Sequence, residues 1–226
     1  MRLVSLRRRA AIAGLLALAC AGAVRAAAAP VVLVVGDSLS AEYGLKRGSG
    51  WVALLQQRLA QQKIAADVIN ASISGDTSSG GRARLPALLA QHKPDLVVFE
   101  LGANDALRGL PLAGTEDNLA QMTQAAQKAG ARVLLVGMQV PPNYGSDYAN
   151  KFSGLFPKVA KQYGTGLVPF LLQGVADAPD ARDLFQADGL HPLAQVHPRI
   201  LENVWPEFRK ALAAAAKGKH VGAAGS

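Results

Sequence analysis

The chain predicts a single α/β domain, a three-layer α/β/α arrangement around a five-stranded parallel sheet, on three observations. Five short apolar runs recur along it, longer amphipathic segments separate them one by one, and several runs are too uniformly apolar to have a solvated face. Strict alternation of this kind implies right-handed crossovers and a sheet covered on both faces.

The first thirty residues stand apart from that pattern. Arg2, Arg7, Arg8 and Arg9 precede an Ala/Leu-rich stretch from Ala10 to Val24, and alanines with cleavage options such as Ala26-Ala27-Ala28 follow. This is the pattern of an export signal over residues 1–28, too short for a membrane span, so the mature protein is expected to be periplasmic or secreted with no stable membrane span. Arg7-Arg8-Arg9 also suits a twin-arginine signal, and Ala17-Leu18-Ala19-Cys20 a lipoprotein box without its usual Leu; ordinary export is the preferred reading. Cys20 is the only cysteine, so cleavage leaves no disulfide, thiolate nucleophile or cysteine-based metal site. Arg2, Arg7, Arg8, Arg9 and Arg25 leave with the signal, which takes the formal charge from +8 to +3. The basic residues that remain, Lys46, Arg47, Arg58, Lys63, Arg82, Arg84 and onward, form no run and have no aromatic interleaving, which argues against a nucleic-acid partner.

The remaining roughly 190 residues suffice for one domain with a full core. Within it, expected over 29–216, strands are read at Val31 to Val35, Ala66 to Ile73, Asp95 to Leu101, Ala131 to Met138 and Gly166 to Phe170. Helical spacing marks Trp51 to Gln62, Thr77 to Gln91, Thr115 to Ala129, Tyr148 to Tyr163 and a last helix from about Pro198 to Ala216. No internal repeat or second domain is visible, and residues 217–226, rich in Ala, Gly and Lys, are expected to form a flexible tail. A flavodoxin-like 2-1-3-4-5 strand order would make the loops after the first three strands neighbours, and open parallel sheets gather their chemistry at those carboxyl ends.

Ser38, Gly75 and Asn104 fall in those three loops. Gly36-Asp37-Ser38-Leu39-Ser40 reads either as a turn with a helix cap or as the loop of a nucleophilic serine, which needs a base within hydrogen-bond reach. Gly102-Ala103-Asn104-Asp105 reads either as a strand-to-loop turn or as a donor loop, the Asn104 amide reaching a developing oxyanion while Gly102 lets the backbone come close. In Ser74-Gly75-Asp76-Thr77 the glycine either turns the chain or points its N–H into the site. The sharpest piece is Asp188-Gly189-Leu190-His191-Pro192. Its spacing sets a carboxylate against one imidazole nitrogen while the other faces outward, and Pro192 keeps His191 out of a continuing helix. Of the four histidines, His92 and His220 are poorly placed, and His197 has no acid three residues before it.

These four blocks, in this order, resemble the SGNH or GDSL-type hydrolases, and the likeness runs from about Val31 to Leu212. It is similar in particular to the secreted thioesterase I, arylesterase and lysophospholipase L1 branch, through Glu100-Leu101-Gly102-Ala103-Asn104-Asp105-Ala106-Leu107-Arg108-Gly109, Pro142-Asn143-Tyr144-Gly145 and the His191 block. The resemblance implies the SGNH hydrolase fold, with Ser38 as nucleophile, His191 as general base then acid, and Asp188 as its orienting carboxylate. It implies an oxyanion hole of the Ser38 and Gly75 backbone N–H groups and the Asn104 amide, and a structural role for Asp37. The stretch after the histidine departs mildly, with His197 where relatives often place Gln.

Substrate contacts are expected from Leu107, Leu110 and Pro111, in the apolar segment after the Asn104 block, and from Tyr144. The alternative for that segment is a packed Ω-like loop covering a sheet end. The expected reaction is hydrolysis of aryl or medium-chain fatty acyl esters, with possible thioester and lysophospholipid cleavage, by a monomer acting on a small-molecule acyl ester, thioester or lysolipid without metal or organic cofactor. A carbohydrate O-deacetylase on the same scaffold and a non-catalytic binding protein are the alternatives. Two tryptophans, Trp51 and Trp205, offer few sugar-stacking platforms.

Overall fold

A computed structural model describes residues 28–223, so the expected export signal, with Cys20, falls outside them apart from its last residue. Strand β1 (Val31–Gly36) is five aliphatic residues and a glycine, buried from Val32 onward. Strand β3 (Leu96–Glu100) is buried along its whole length. Such strands belong inside a sheet covered on both faces. They pair in parallel, from Val32 opposite Leu96 to Gly36 opposite Glu100. The half-exposed β2 (Asp67–Asn70) takes the edge beside β1, β4 (Arg132–Val136) lies against β3, and the short β5 (Gly166–Val168) closes the other edge. The order β2-β1-β3-β4-β5, parallel throughout, is the flavodoxin-like order that makes the loops after β1, β2 and β3 neighbours.

Helices α1 (Trp51–Gln61), α2 (Ser78–His92), α3 (Ala103–Leu107), α4 (Leu112–Lys128), α5 (Ser146–Tyr163) and α6 (His197–Ala223) complete the domain. α1 packs on α6 over one face of the sheet, while α2, α4 and α5 line up on the other, which gives the three layers. Trp51, Leu55 and Leu59 of α1 meet Ile200, Val204 and Phe208 of α6 in the core; Leu85, Leu119, Met122, Phe152 and Phe156 fill the opposite layer. The threonine before α2 is its cap, since Thr77 Oγ1 accepts from the Gly80 N–H at 3.2 Å.

Several boundaries move. β2 ends at Asn70 instead of Ile73 because the Asn70 side chain accepts the Ser72 N–H and turns the chain. β5 stops at Val168, before a proline that has no N–H to donate to a ladder. α6 continues past Ala216 to Ala223, into the stretch read as a tail. The segment read as a possible Ω-like loop is the end of α3, a short turn and the start of α4.

Candidate active site

At the carboxyl end of β1 the chain reverses in a tight turn, with the Ser40 and Ala41 N–H groups both donating to the Asp37 carbonyl. This holds Ser38 half-buried at the lip of the sheet. Its Oγ lies 2.8 Å from His191 Nε2, across 153 residues of sequence. On the far side of the ring, His191 Nδ1 is 2.7 Å from Asp188 Oδ2. The other Asp188 oxygen accepts the backbone N–H groups of Leu190 at 2.9 Å and His191 at 3.0 Å. Burial pushes the Asp188 carboxyl up, but the bonds from the His191 ring and these two N–H groups outweigh it and hold it at about 2. Asp188 is therefore a fixed anion at neutral pH. It assigns the ring proton to Nδ1, leaving Nε2 as the acceptor that faces the serine hydroxyl.

The histidine loop is itself anchored. Phe185 and Pro192 form an antiparallel bridge, the Gln186 N–H donates to the His191 carbonyl at 2.7 Å, and the Leu193 N–H donates to the Leu184 carbonyl at 2.8 Å. The Gln186 side chain reaches across to the Tyr43 carbonyl at 3.0 Å, and the Tyr43 ring lies 4.3 Å from the His191 ring, centroid to centroid. The serine loop and the histidine loop thus touch at more than the reacting atoms.

Asn104 enters from the next strand over. Gly102, at φ +115°, makes a sharp turn out of β3 that a side chain would strain, and α3 starts at once, with Asn104 in its first turn. The Asn104 amide donates to Asp37 Oδ2 at 3.1 Å, and Asp37 Oδ1 accepts the Leu39 N–H at 3.0 Å. Asp37 is thus the strut that orients Asn104 and closes the serine turn, as the resemblance implied. Beneath it, Glu100 Oε2 accepts from Ser40 Oγ at 2.7 Å and from the Asp37 N–H at 3.3 Å. Two buried carboxyls side by side cannot both ionise freely. Burial raises Asp37 to about 6, and burial with the neighbouring Asp37 charge pushes Glu100 well above the usual carboxylate range.

Gly75 sits at φ +77° in the turn after β2, and its carbonyl accepts from Arg108 Nη2 at 2.8 Å. Arg108 follows α3, so this bond ties the Gly75 loop to the Asn104 loop. Of the expected substrate contacts, Leu107 and Tyr144 are half-buried neighbours, with the Tyr144 hydroxyl donating to the Leu107 carbonyl at 3.3 Å. Leu110 and Pro111 stand exposed further along the same loop.

Glu100, Asp105, Tyr43 and Arg108 carry weight that the sequence reading did not assign to them. Glu100 had a visible signal, a single acid closing an otherwise apolar buried strand, whereas Tyr43 and Arg108 are ordinary loop residues until the fold brings their partners in. Among the described residues no three His, Cys, Asp or Glu side chains converge as a metal site, and no helix is long and apolar enough to cross a membrane. A half-buried hydroxyl aligned on a histidine whose other nitrogen is fixed by a carboxylate is an arrangement suited to acyl transfer.

The model of the GDSL-like lipase/acylhydrolase family matches residues 34–199 of the chain. The chain is 56% identical over 186 residues to esterase TesA of Pseudomonas aeruginosa, covering 82% of this chain and 91% of that protein. It is 46% identical over 178 residues to thioesterase 1/protease 1/lysophospholipase L1 of Escherichia coli K12, covering 79% and 83%. It is 44% identical over 181 residues to an arylesterase of Vibrio mimicus, covering 80% and 89%. A crystal structure of TesA superposes with a TM-score of 0.77 at 55% identity, over 80% of this chain and 99% of that one.

Proposed function

The chain belongs to the GDSL-like lipase/acylhydrolase family, and from that premise we propose that it is a serine hydrolase of carboxylic ester and thioester bonds in which Ser38, His191 and Asp188 form the triad. The observation that carries this reading is the line from Asp188 through His191 to Ser38, with both links at hydrogen-bond distance. Ser38 Oγ attacks the acyl carbonyl while His191 Nε2 takes its proton, and Asp188 stabilises the imidazolium that forms. The negative charge on the former carbonyl oxygen is received by the Ser38 and Gly75 N–H groups and by the Asn104 amide, held in place by Asp37. Collapse returns the proton to the leaving alcohol or thiol and leaves an acyl ester on Ser38. Water, deprotonated by His191, then releases the acid.

The preferred substrates are aryl or medium-chain fatty acyl esters, with acyl thioesters and lysophospholipids as further substrates; relatives named arylesterase and thioesterase 1/protease 1/lysophospholipase L1 support this range. We assign the acyl chain to Leu107, Leu110 and Pro111, in the segment that follows Asn104, and to Tyr144, whose hydroxyl bonds the Leu107 carbonyl. The enzyme is read as a monomer exported by residues 1–28. Hydrolysis of p-nitrophenyl esters from acetyl to palmitoyl, for the wild type and Ser38→Ala in parallel, tests the reading. Turnover that peaks at medium chains and falls by roughly three or more orders of magnitude in Ser38→Ala is expected. Equal rates in both proteins would remove Ser38 as nucleophile, and activity confined to acetate would move the carbohydrate deacetylase alternative ahead.

A further inference from the structure

The motif blocks account for Ser38 and His191 separately, yet they do not say what holds two loops 153 residues apart at the 2.8 Å that proton transfer needs. His197 lies at the junction. It is 1% exposed, and its Nδ1 accepts the N–H of Trp51 at 3.0 Å. Trp51 is the first residue of α1, whose cap Gly50 has no side chain to satisfy the free N–H groups of the first turn. His197 therefore caps the helix that the serine loop runs into. Because Nδ1 accepts, the neutral ring carries its proton on Nε2, which is buried without a hydrogen-bond partner among the described residues. His197 follows His191 by six residues, after the short turn Ala194–Val196, and is the first residue of α6. Burial pushes the His197 imidazole below its ordinary range, which keeps the ring in the neutral form that the bond from Trp51 requires.

We propose that His197 is a positioning residue for the reaction, one buried imidazole at the end of the histidine loop that registers this loop against the serine loop through the Trp51 N–H. Misplacement of the base by a fraction of an ångström weakens proton transfer from Ser38 while leaving the acyl wall untouched, so the effect falls on kcat and spares KM. The inference rests on the triad reading above, and Ser38→Ala reports on that reading independently.

The test compares His197→Gln with His197→Leu and His197→Met in the full mature chain. Glutamine can accept from the Trp51 N–H with Oε1, whereas leucine and methionine fill the space and cannot. On p-nitrophenyl butyrate, His197→Gln should stay within about threefold of wild-type kcat, while the apolar variants should lose about tenfold or more with KM nearly unchanged. In proton NMR the low-field resonance of the His191 Nδ1–H bound to Asp188 should persist in His197→Gln and shift or broaden in the apolar variants. Thermal unfolding identifies any variant that fails to fold, and the remaining apolar variant then decides. Wild-type kcat in a folded apolar variant, or a folded His197→Gln as impaired as His197→Leu, would overturn the proposal.

Discussion

Asp37 and Glu100 are two carboxyls buried together directly under the Ser38 turn. Asp37 has to act as an acceptor, since both its oxygens are engaged by N–H donors from Leu39 and Asn104. Glu100 is the natural holder of a proton, being fully buried and pushed up further by Asp37. Carboxyls raised in the folded state bind protons more tightly there than when unfolded, so their stabilisation is complete below the ordinary carboxylate range and is lost as pH rises through the folded values. For Asp37 that window runs from 3.8 to about 6, and for Glu100 it extends upward from 4.5. Glu100→Gln keeps an oxygen for Ser40 and removes the titration. Urea unfolding at about pH 5 and about pH 8 should show the wild type losing more stability between the two than Glu100→Gln does; parallel losses would contradict the assignment. Asp37→Ala frees Asn104 from its strut and should lower kcat by about 10- to 100-fold with a smaller change in KM, as for a partly displaced oxyanion donor. Unchanged kcat would mean that Asn104 holds its orientation without Asp37.

The elements show where the sequence was readable and where it was not. The strands were legible because β1 and β3 are uniform aliphatic runs that only a doubly covered sheet can accept, and the His191 block was legible because its acid and base sit on one short loop. Helix α3 was hidden. It is a five-residue turn entered through a glycine at φ +115°, and Asp105 within it looked like loop punctuation. In the fold Asp105 is 2% exposed and takes the Ser78 N–H at 2.8 Å, the Ser78 hydroxyl, and the Thr115 hydroxyl at 3.3 Å. One carboxylate thus joins α3 to the first turns of α2 and α4, where it also meets the positive end of each helix dipole. Nothing in local spacing could reveal this, since Ser78 is 27 residues away and exposed polar residues look the same in sequence. Asp105→Ala leaves the Ser78 N–H buried and unpaired and should cost about 2–4 kcal/mol of folding stability. Chemical denaturation reads this directly; a loss under about 0.5 kcal/mol would show that α2 and α3 are held together by packing alone.

At the scale of the whole molecule, the strand order decides where chemistry can occur. β1 leads outward to β2 at one edge and the chain then returns to place β3 on the other side of β1, so the carboxyl ends of β1 and β3 face a common crevice. Ser38 and Asn104 stand on its two sides. The third partner arrives only after the last strand, and α6 then locks down over α1, with an Arg58–Glu202 ion pair and the Trp205 ring lying 5.0 Å from Arg58 and 5.5 Å from Arg209. The site is therefore assembled from the full length of the described domain, and cutting into the domain at either end should abolish it. The start of β1 is tied to the sheet by hydrogen bonds: the Asp67 N–H donates to the Pro30 carbonyl at 2.9 Å, and the Val31 N–H to the Asp95 carboxylate at 2.8 Å. A chain beginning at Ala29 keeps both bonds and every residue of β1. It should match the full chain in unfolding midpoint and in turnover of p-nitrophenyl butyrate, whereas a chain beginning at Leu33 loses two positions of β1 and should not fold. Lower stability in the Ala29 chain would mean that the preceding residues are part of the folded domain, and an active Leu33 chain would mean that β1 does not need its first two paired positions to organise the Ser38 loop.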